Sequence, residues 1–265
     1  SGLKALVSER AFWEMDFPNQ GDEDSDDDPK RVVDEFEQVL LNAVEKRLRA
    51  DVPVGAYLSG GLDSSMIVAM ACKLKGESIN TYTVRIDDPS LDELSGANQS
   101  AKHIGTKPPI VQDFRASDAL EMYPQLIQAA EAPVIDTSCA ALLMLAQRVH
   151  ANGQKVVLTG EGADEFLAGY DIFKEAKLRR FWARQPESRL RPLLLQRLYQ
   201  DIGGLARTNA GFLAAFFGNG LGDTASPWYS HAVRWRNNRR TLRFFRDGFL
   251  PASGDDTLNS LASAL

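Results

Sequence analysis

Val52-Pro53-Val54-Gly55-Ala56-Tyr57-Leu58-Ser59-Gly60-Gly61-Leu62-Asp63-Ser64-Ser65 holds the signal that decides the fold. An apolar run to Leu58 reads as a buried strand, and Ser65 to Cys72 carries a helical pattern. Between them lies a tight glycine turn. Such a strand–turn–helix junction lets backbone N–H groups converge on one anion at the positive end of the helix. Adjacent Gly60 and Gly61 let the backbone come close to a ligand. Ser59, Ser64 and Ser65 add hydroxyl donors, whereas Asp63 would repel a phosphate unless a divalent cation stood between them. The loop lacks the lysine and the spacing of the Gly-x-x-x-x-Gly-Lys-Ser/Thr phosphate loop. Its plain alternative is an ordinary glycine turn in an α/β sheet.

Working outward, strands alternate with helices. Asp28-Pro29 is an N-cap followed by proline at the first helical position, and Val32, Val33, Phe36, Val39, Leu40, Ala43, Val44 and Leu48 share one helical face. Residues 79–86 read as a strand, 91–103 as a helix stopped by Gly105, 109–111 as a short strand, 116–131 and 138–152 as helices, and 155–159 as a buried strand. This order predicts an α/β fold with a doubly wound parallel sheet. Past Tyr170 no strand pattern recurs, and glycine-rich breaks stand at Gly203-Gly204 and Gly218-Asn219-Gly220. The expected organisation is a tether and acidic linker over 1–29, a nucleotide-binding core over 30–170 and a mainly helical region over 171–265. Phe12, Trp13 and Phe17 mark the tether as a segment that packs on something, and six acids crowd Gly21 to Pro29.

The 265 residues are 44% hydrophobic and 25% charged, enough for a sizeable core. No run suits a membrane span, so no membrane partner is expected. Cys72 and Cys139 read as small core residues in a reducing, cytoplasmic setting. His103, His150 and His231 lack ligand-like spacing. Thirteen arginines between Lys174 and Arg246 read as solvated helical faces or as surfaces meeting another domain; no nucleic-acid-binding motif accompanies them, and no nucleic-acid partner is expected.

A second constellation follows the strand at Lys155. Thr159-Gly160-Glu161-Gly162-Ala163-Asp164-Glu165 ends a strand with two glycines and three acids. Loops at the carboxyl ends of parallel strands form the ligand crevice, so Asp63 and Asp164 are expected to face one crevice with Mg²⁺ between them. The alternative is an acidic helix start stabilised by the helix dipole.

The first loop resembles the pyrophosphate loop of enzymes that cleave ATP between its α- and β-phosphates. SGGLDSS at Ser59–Ser65 and GEGADE at Gly160–Glu165 together resemble the synthetase domain of glutamine-hydrolysing asparagine synthetases. Arg47 to Gly55, Leu91-Asp92-Glu93, His103 to Thr106, Ala132-Pro133 and Asp136-Thr137-Ser138 fit the same pattern, over roughly Trp13 to Tyr170 and more weakly Ser230 to Phe245. The resemblance implies a sheet of the adenine-nucleotide α-hydrolase type and a carbon–nitrogen ligase using ATP and Mg²⁺. A β-carboxylate of aspartate would attack the α-phosphate, and ammonia would then displace AMP. It implies that Ser59, Gly60, Gly61, Ser64 and Ser65 cradle pyrophosphate, and that Asp63 and Asp164 hold Mg²⁺. By the same resemblance Leu58, Val84, Thr159 and Gly160 contact the adenosine through backbone. Glu161 serves adenylate formation and the ammonia proton, and Asp136 helps the substrate or ammonia path.

The resemblance is partial. Family members begin with a glutaminase domain opened by a catalytic cysteine, and no cysteine precedes Cys72 here. They also place a lysine on the ATP phosphates late in the helical half, and no lysine follows Lys177. The expectation is a fragment of a longer enzyme whose glutaminase domain lies in cis or in trans, with a homodimer as the intact state. Rival readings keep the adenylation for β-lactam or peptide ring closure, make the chain a nucleotide-binding remnant, or make it a tRNA-modifying pyrophosphatase.

Overall fold

The computed structural model describes residues 10–13, 18, 22, 28–132, 134–198, 210–239 and 243–244. Phe17, most of the acidic run, Pro133, Gly203-Gly204, Phe245 and the segment from Phe249 onward lie outside the described residues. The chain divides into two compact units, Ser1–Gly160 and Glu161–Leu265.

The first unit opens with α1 (Pro29–Arg47). Asp28 caps it, its carboxylate accepting from Lys30 N at 3.0 Å and from Arg31 N at 3.4 Å, while Lys46 and Arg47 sit in the last turn. There follow β1 (Val54–Tyr57), α2 (Leu62–Lys75), β2 (Thr81–Ile86), α3 (Leu94–Ile104), β3 (Ile110–Phe114), α4 (Ala116–Ala130), α5 (Ser138–Ala151) and β4 (Val156–Leu158). The strands run parallel in the order β3-β2-β1-β4. Successive crossovers thus move outward from β1 to β3, and the chain returns to the other side of β1 for β4. The order reverses between β1 and β4, the place where open α/β sheets bind ligands.

Side-chain alternation explains why both faces are covered. Ala56, Leu58 and Leu158 turn to one face and join Val44 of α1, Val68 of α2 and Ala97 of α3. Tyr57, Tyr82, Val84 and Val157 turn to the other and meet Leu145 and Val149 of α5. Burying each large apolar side chain contributes roughly 1.5–3 kcal/mol. The sheet is therefore doubly wound, as its sequence pattern predicts. Boundaries moved by a few residues. The third helix starts at Leu94, not Leu91, because the Asp88 carbonyl gathers the Leu91 and Asp92 N–H groups into a turn. The Asp92 carboxylate then ties Ile86 N and Leu94 N together. Cys72 and Cys139 are free thiols and only half-buried, so neither is a full core residue.

The second unit holds α6 (Ala163–Leu167), α7 (Asp171–Ala183), a 3₁₀ turn (Arg191–Arg197), α8 (Ala210–Phe217) and α9 (Ala232–Arg239). Trp182, Leu195, Leu213 and Phe217 form its apolar core. Beside that core the arginine expectation fails, among the described residues, at Arg179. Arg179 is fully buried; it donates to the carbonyls of Phe217 (2.9 Å), Tyr229 (2.9 Å) and Asn219 (3.0 Å) and lies over the Tyr229 ring. Burial pulls its pKa below the ordinary guanidinium value, offset in part by the neighbouring Tyr229 and Glu175. Glu175, also fully buried, accepts two hydrogen bonds from Arg234 at 3.1 and 2.7 Å. Among the described residues no helix is long and apolar enough to cross a membrane.

Candidate active site

The turn after β1 is built by backbone shape first. Leu58, buried, still belongs to the sheet, its N–H donating to the Tyr82 carbonyl at 2.9 Å. Gly60 then takes φ +89°, which L side chains rarely adopt. A Cβ there would stand 2.4 Å from the Gly96 carbonyl carbon and 2.5 Å from Ala97 N, so the first turn of α3 presses directly on the loop. Gly61 is the N-cap of α2, and no side chain caps that helix. The N–H groups of a helix's first turn have no partner inside the helix, which suits them to an anion.

Hydroxyls hold the loop together. Ser64 Oγ accepts from Ser59 N at 3.2 Å and meets Ser59 Oγ at 2.9 Å, and Ser59 Oγ accepts from Gly61 N at 3.2 Å. Ser65 Oγ reaches out of the loop to Ser100 Oγ on α3 at 3.0 Å. Asp63 lies half-buried in the first turn of α2. Val84 sits on the part of β2 that runs past the last paired residue of β1, and so flanks the same edge.

β4 is only three residues long, and Thr159 and Gly160 follow it beside the glycine loop. Gly160 is pressed against α2. A Cβ there would stand 2.7 Å from Ser64 N and 3.0 Å from both the carbonyl carbon and the Cβ of Asp63. The first unit therefore brings Leu58, Ser59, Gly60, Gly61, Asp63, Ser64, Ser65, Val84, Thr159 and Gly160 to one edge of the sheet.

The second unit begins with the acids. Glu161 is exposed and precedes Gly162, the N-cap of α6 at φ +93°. Asp164 and Glu165 stand in the first turn of α6, so the reading of an acidic helix start holds for those two and leaves Glu161 outside it. The half-buried Asp164 carboxylate lies over Gly169, where a Cβ would come within 1.9 Å of Oδ1. Tyr170 OH donates to Glu165 Oε1 at 2.9 Å. That hydrogen bond raises the pKa of the phenol, helped by slight desolvation and by the charges of Glu165, Asp164 and Glu161. The turn thus concentrates negative charge at one spot.

Among the described residues no three His, Cys, Asp or Glu side chains group as a metal site. Asp63 and Asp164 each offer a single carboxylate, a hard oxygen donor of the type that Mg²⁺ takes one or two of, with substrate phosphates completing its shell. Asp136 is exposed; its carboxylate accepts from Ser138 N at 2.8 Å, and that backbone hydrogen bond holds its pKa below the ordinary carboxylate value. Sequence reasoning missed Gly96, Ser100, Gly169 and Tyr170. The small-residue pair Gly96-Ala97 was the one local sign that α3 approaches something closely.

The sequence profile described as asparagine synthase matches residues 35–251, most of the chain. The chain belongs to the asparagine synthase family. It is 35% identical over 180 residues to the protein named amidase chyE of Penicillium rubens, covering 63% of this chain and 26% of that protein. It is 36% identical over 151 residues to a putative glutamine-hydrolysing asparagine synthetase of Mycobacterium tuberculosis, covering 57% of this chain and 23% of the relative. Over 190 residues it is 29% identical to asparagine synthetase 1 of Bacillus subtilis, covering 71% and 28%. The chain thus spans about a quarter of the length of these curated relatives.

Proposed function

We propose that this asparagine synthase domain performs ATP-dependent amide synthesis, with aspartate and ammonia as substrates and a glutaminase domain as the ammonia source. A carboxylate resists attack by an amine because its leaving group would be oxide. Adenylation removes that obstacle. A carboxylate oxygen attacks the α-phosphorus, the bond to the bridging oxygen of the β-phosphate breaks, and pyrophosphate leaves. The nitrogen lone pair of ammonia then attacks the acyl carbon, the bond to AMP breaks, and a proton passes to a base.

The observation that carries this reading is the packing of Gly160 against Asp63 and Ser64 at the edge where the strand order reverses. It supports a polyphosphate site to which the glycine loop and the end of β4 both contribute. In this reading the N–H groups and hydroxyls from Ser59 to Ser65 bind the departing pyrophosphate, where negative charge grows as the bond breaks. Leu58, Val84, Thr159 and Gly160 line the adenosine through backbone. Asp63 and Asp164 would hold Mg²⁺, which when bound offsets charge on the phosphate oxygens. The Asp164 carboxylate lies in the room left by the missing side chain of Gly169, which supports a role that needs it free to reach a cation. Glu161, exposed and unencumbered by a helix start, is proposed to serve adenylate formation and to accept the proton during ammonia attack.

The test is AMP formation by the intact protein. Release that requires both aspartate and ammonia supports the reading. Glu161→Gln should slow exchange of labelled pyrophosphate into ATP at least tenfold; exchange at the normal rate would contradict its role. A second reading keeps the adenylation and changes the amine or the carboxylate. The relatives named as amidases, 35% and 34% identical, favour it. AMP release that ignores aspartate but responds to another amine and carboxylate pair would select it.

A further inference from the structure

Two of the three loop hydroxyls are engaged inside the loop. Ser59 Oγ and Ser64 Oγ bond each other at 2.9 Å, and between them take up the N–H groups of Ser59 and Gly61. Ser65 differs. Its hydroxyl leaves the loop and meets Ser100 Oγ across the gap between α2 and α3, a contact between residues 35 positions apart. Both side chains are half-buried. The approach that makes the contact possible comes from Gly60, Ala97 and Ala101. Gly60 has no Cβ to strike the Gly96 carbonyl carbon or Ala97 N, and Ala97 and Ala101 are buried against Leu58 and Val68. A larger residue at Gly60 or Ala97 would push α3 outward and carry Ser100 away from Ser65.

A hydroxyl has one proton and two acceptor lone pairs. Ser65 can spend its proton on Ser100, or it can accept from Ser100 and turn its own proton elsewhere. We propose that Ser100 is a positioning residue for phosphate binding. With the loop empty, Ser65 donates to Ser100. When a phosphate oxygen enters, the bond reverses, Ser100 donates to Ser65, and Ser65 donates to the phosphate. The chain of two hydroxyls strengthens the outer bond by polarising it, and it spares the loop an unpaired hydroxyl in either state. This inference rests on the pyrophosphate-binding role proposed for the loop.

The rival explanation is that the serine pair only joins α2 to α3. Calorimetric titration of the protein with inorganic pyrophosphate and magnesium separates the two. Wild type, Ser100→Ala, Ser100→Thr, Ser65→Ala and the Ser65→Ala/Ser100→Ala double variant are compared, with circular dichroism to establish the fold of each. A net hydrogen bond of about 0.5–1.5 kcal/mol corresponds to a loss of roughly two- to tenfold in Kd. Ser100→Ala should show that loss, Ser100→Thr should retain wild-type affinity within about twofold, and the double variant should be no weaker than Ser65→Ala alone. Unchanged affinity in Ser100→Ala with only a lowered melting temperature would overturn the assignment, as would losses that multiply in the double variant. If the folded wild type does not bind pyrophosphate at all, the role of the loop itself fails, and that result is distinct from a Ser100 variant that binds as well as wild type.

Discussion

The loop after β1 and the acidic turn that begins the second unit are opposites in chemistry. From Ser59 to Ser65 the chain offers donors, namely hydroxyls and the uncapped start of a 14-residue helix, with Asp63 the one acid in that helix's first turn. From Glu161 to Tyr170 it offers acceptors, with Glu161, Asp164 and Glu165 gathered around a phenol whose pKa they raise. Donors alone would bind a bare phosphate, and acceptors alone would bind a bare cation. A nucleotide carried with a divalent cation needs both kinds of loop. The two also differ in how they are held. The first is wedged between α3 and Gly160 by backbone contacts too close for any side chain, whereas the second is ordered by side-chain contacts within its own unit.

If that contrast is right, substitutions at the wedge should do the most damage. Gly160→Val would drive a side chain into Ser64 N and the backbone of Asp63. Overpacking of this kind costs about 1–3 kcal/mol, and Mg-ATP affinity should fall at least tenfold, as measured by calorimetry and thermal denaturation. Gly60→Ala adds an unfavourable φ to a clash with Gly96 and should behave alike.

The acidic turn should respond more locally. Gly169→Ala would displace the Asp164 carboxylate and leave the fold largely intact, since a flexible side chain can move aside. The expected result is a roughly tenfold loss of magnesium-dependent nucleotide binding with little change in melting temperature. A large fall in stability would mean that the turn is rigid like the first loop.

Tyr170 sharpens the electrostatic half of the contrast. Its pKa is raised chiefly by the hydrogen bond to Glu165, so Glu165→Gln should bring it down toward the ordinary value of about 10. Carbon-13 NMR of labelled tyrosine would follow the titration. The sign follows from linkage. A phenol whose pKa is raised by folding contributes stability present below its unfolded pKa, and that contribution is lost as pH rises through the folded value. A Tyr170 pKa that does not move in Glu165→Gln would remove the acidic turn's claimed field.

The smallest effect is a control. Gly76 also has positive φ, at the end of α2, but a Cβ there meets nothing within 4 Å. Gly76→Ala should cost about 1 kcal/mol of stability and leave nucleotide binding unchanged. Weakened binding would show that glycine geometry in general, and not the wedge, sets the affinity.

These cases also show what a sequence makes legible. The strand, the glycine pair and the helix from Val54 to Lys75 are contiguous, so periodicity and turn chemistry report them directly, and the parallel order follows from alternation. The demand on Gly160 is set by Ser64, far away in the chain, and Ser100 meets Ser65 only because small residues bring α3 close. Neither has a local signature. Arg179 misleads for a related reason. Next to Arg180 in an arginine-rich stretch it looks solvated, yet three backbone carbonyls of a later segment receive it. Short elements blur as well. The three residues of β4 are legible as apolar, but that β4 lies beside β1 is known only from the pairing.

The most direct test of the account is the magnesium dependence of ATP binding in the intact protein, titrated with and without the metal in wild type, Asp63→Asn and Asp164→Asn. The account predicts that magnesium tightens binding at least tenfold in wild type and that either substitution abolishes the gain. Equal affinity with and without magnesium, or a full gain retained in both variants, would contradict it.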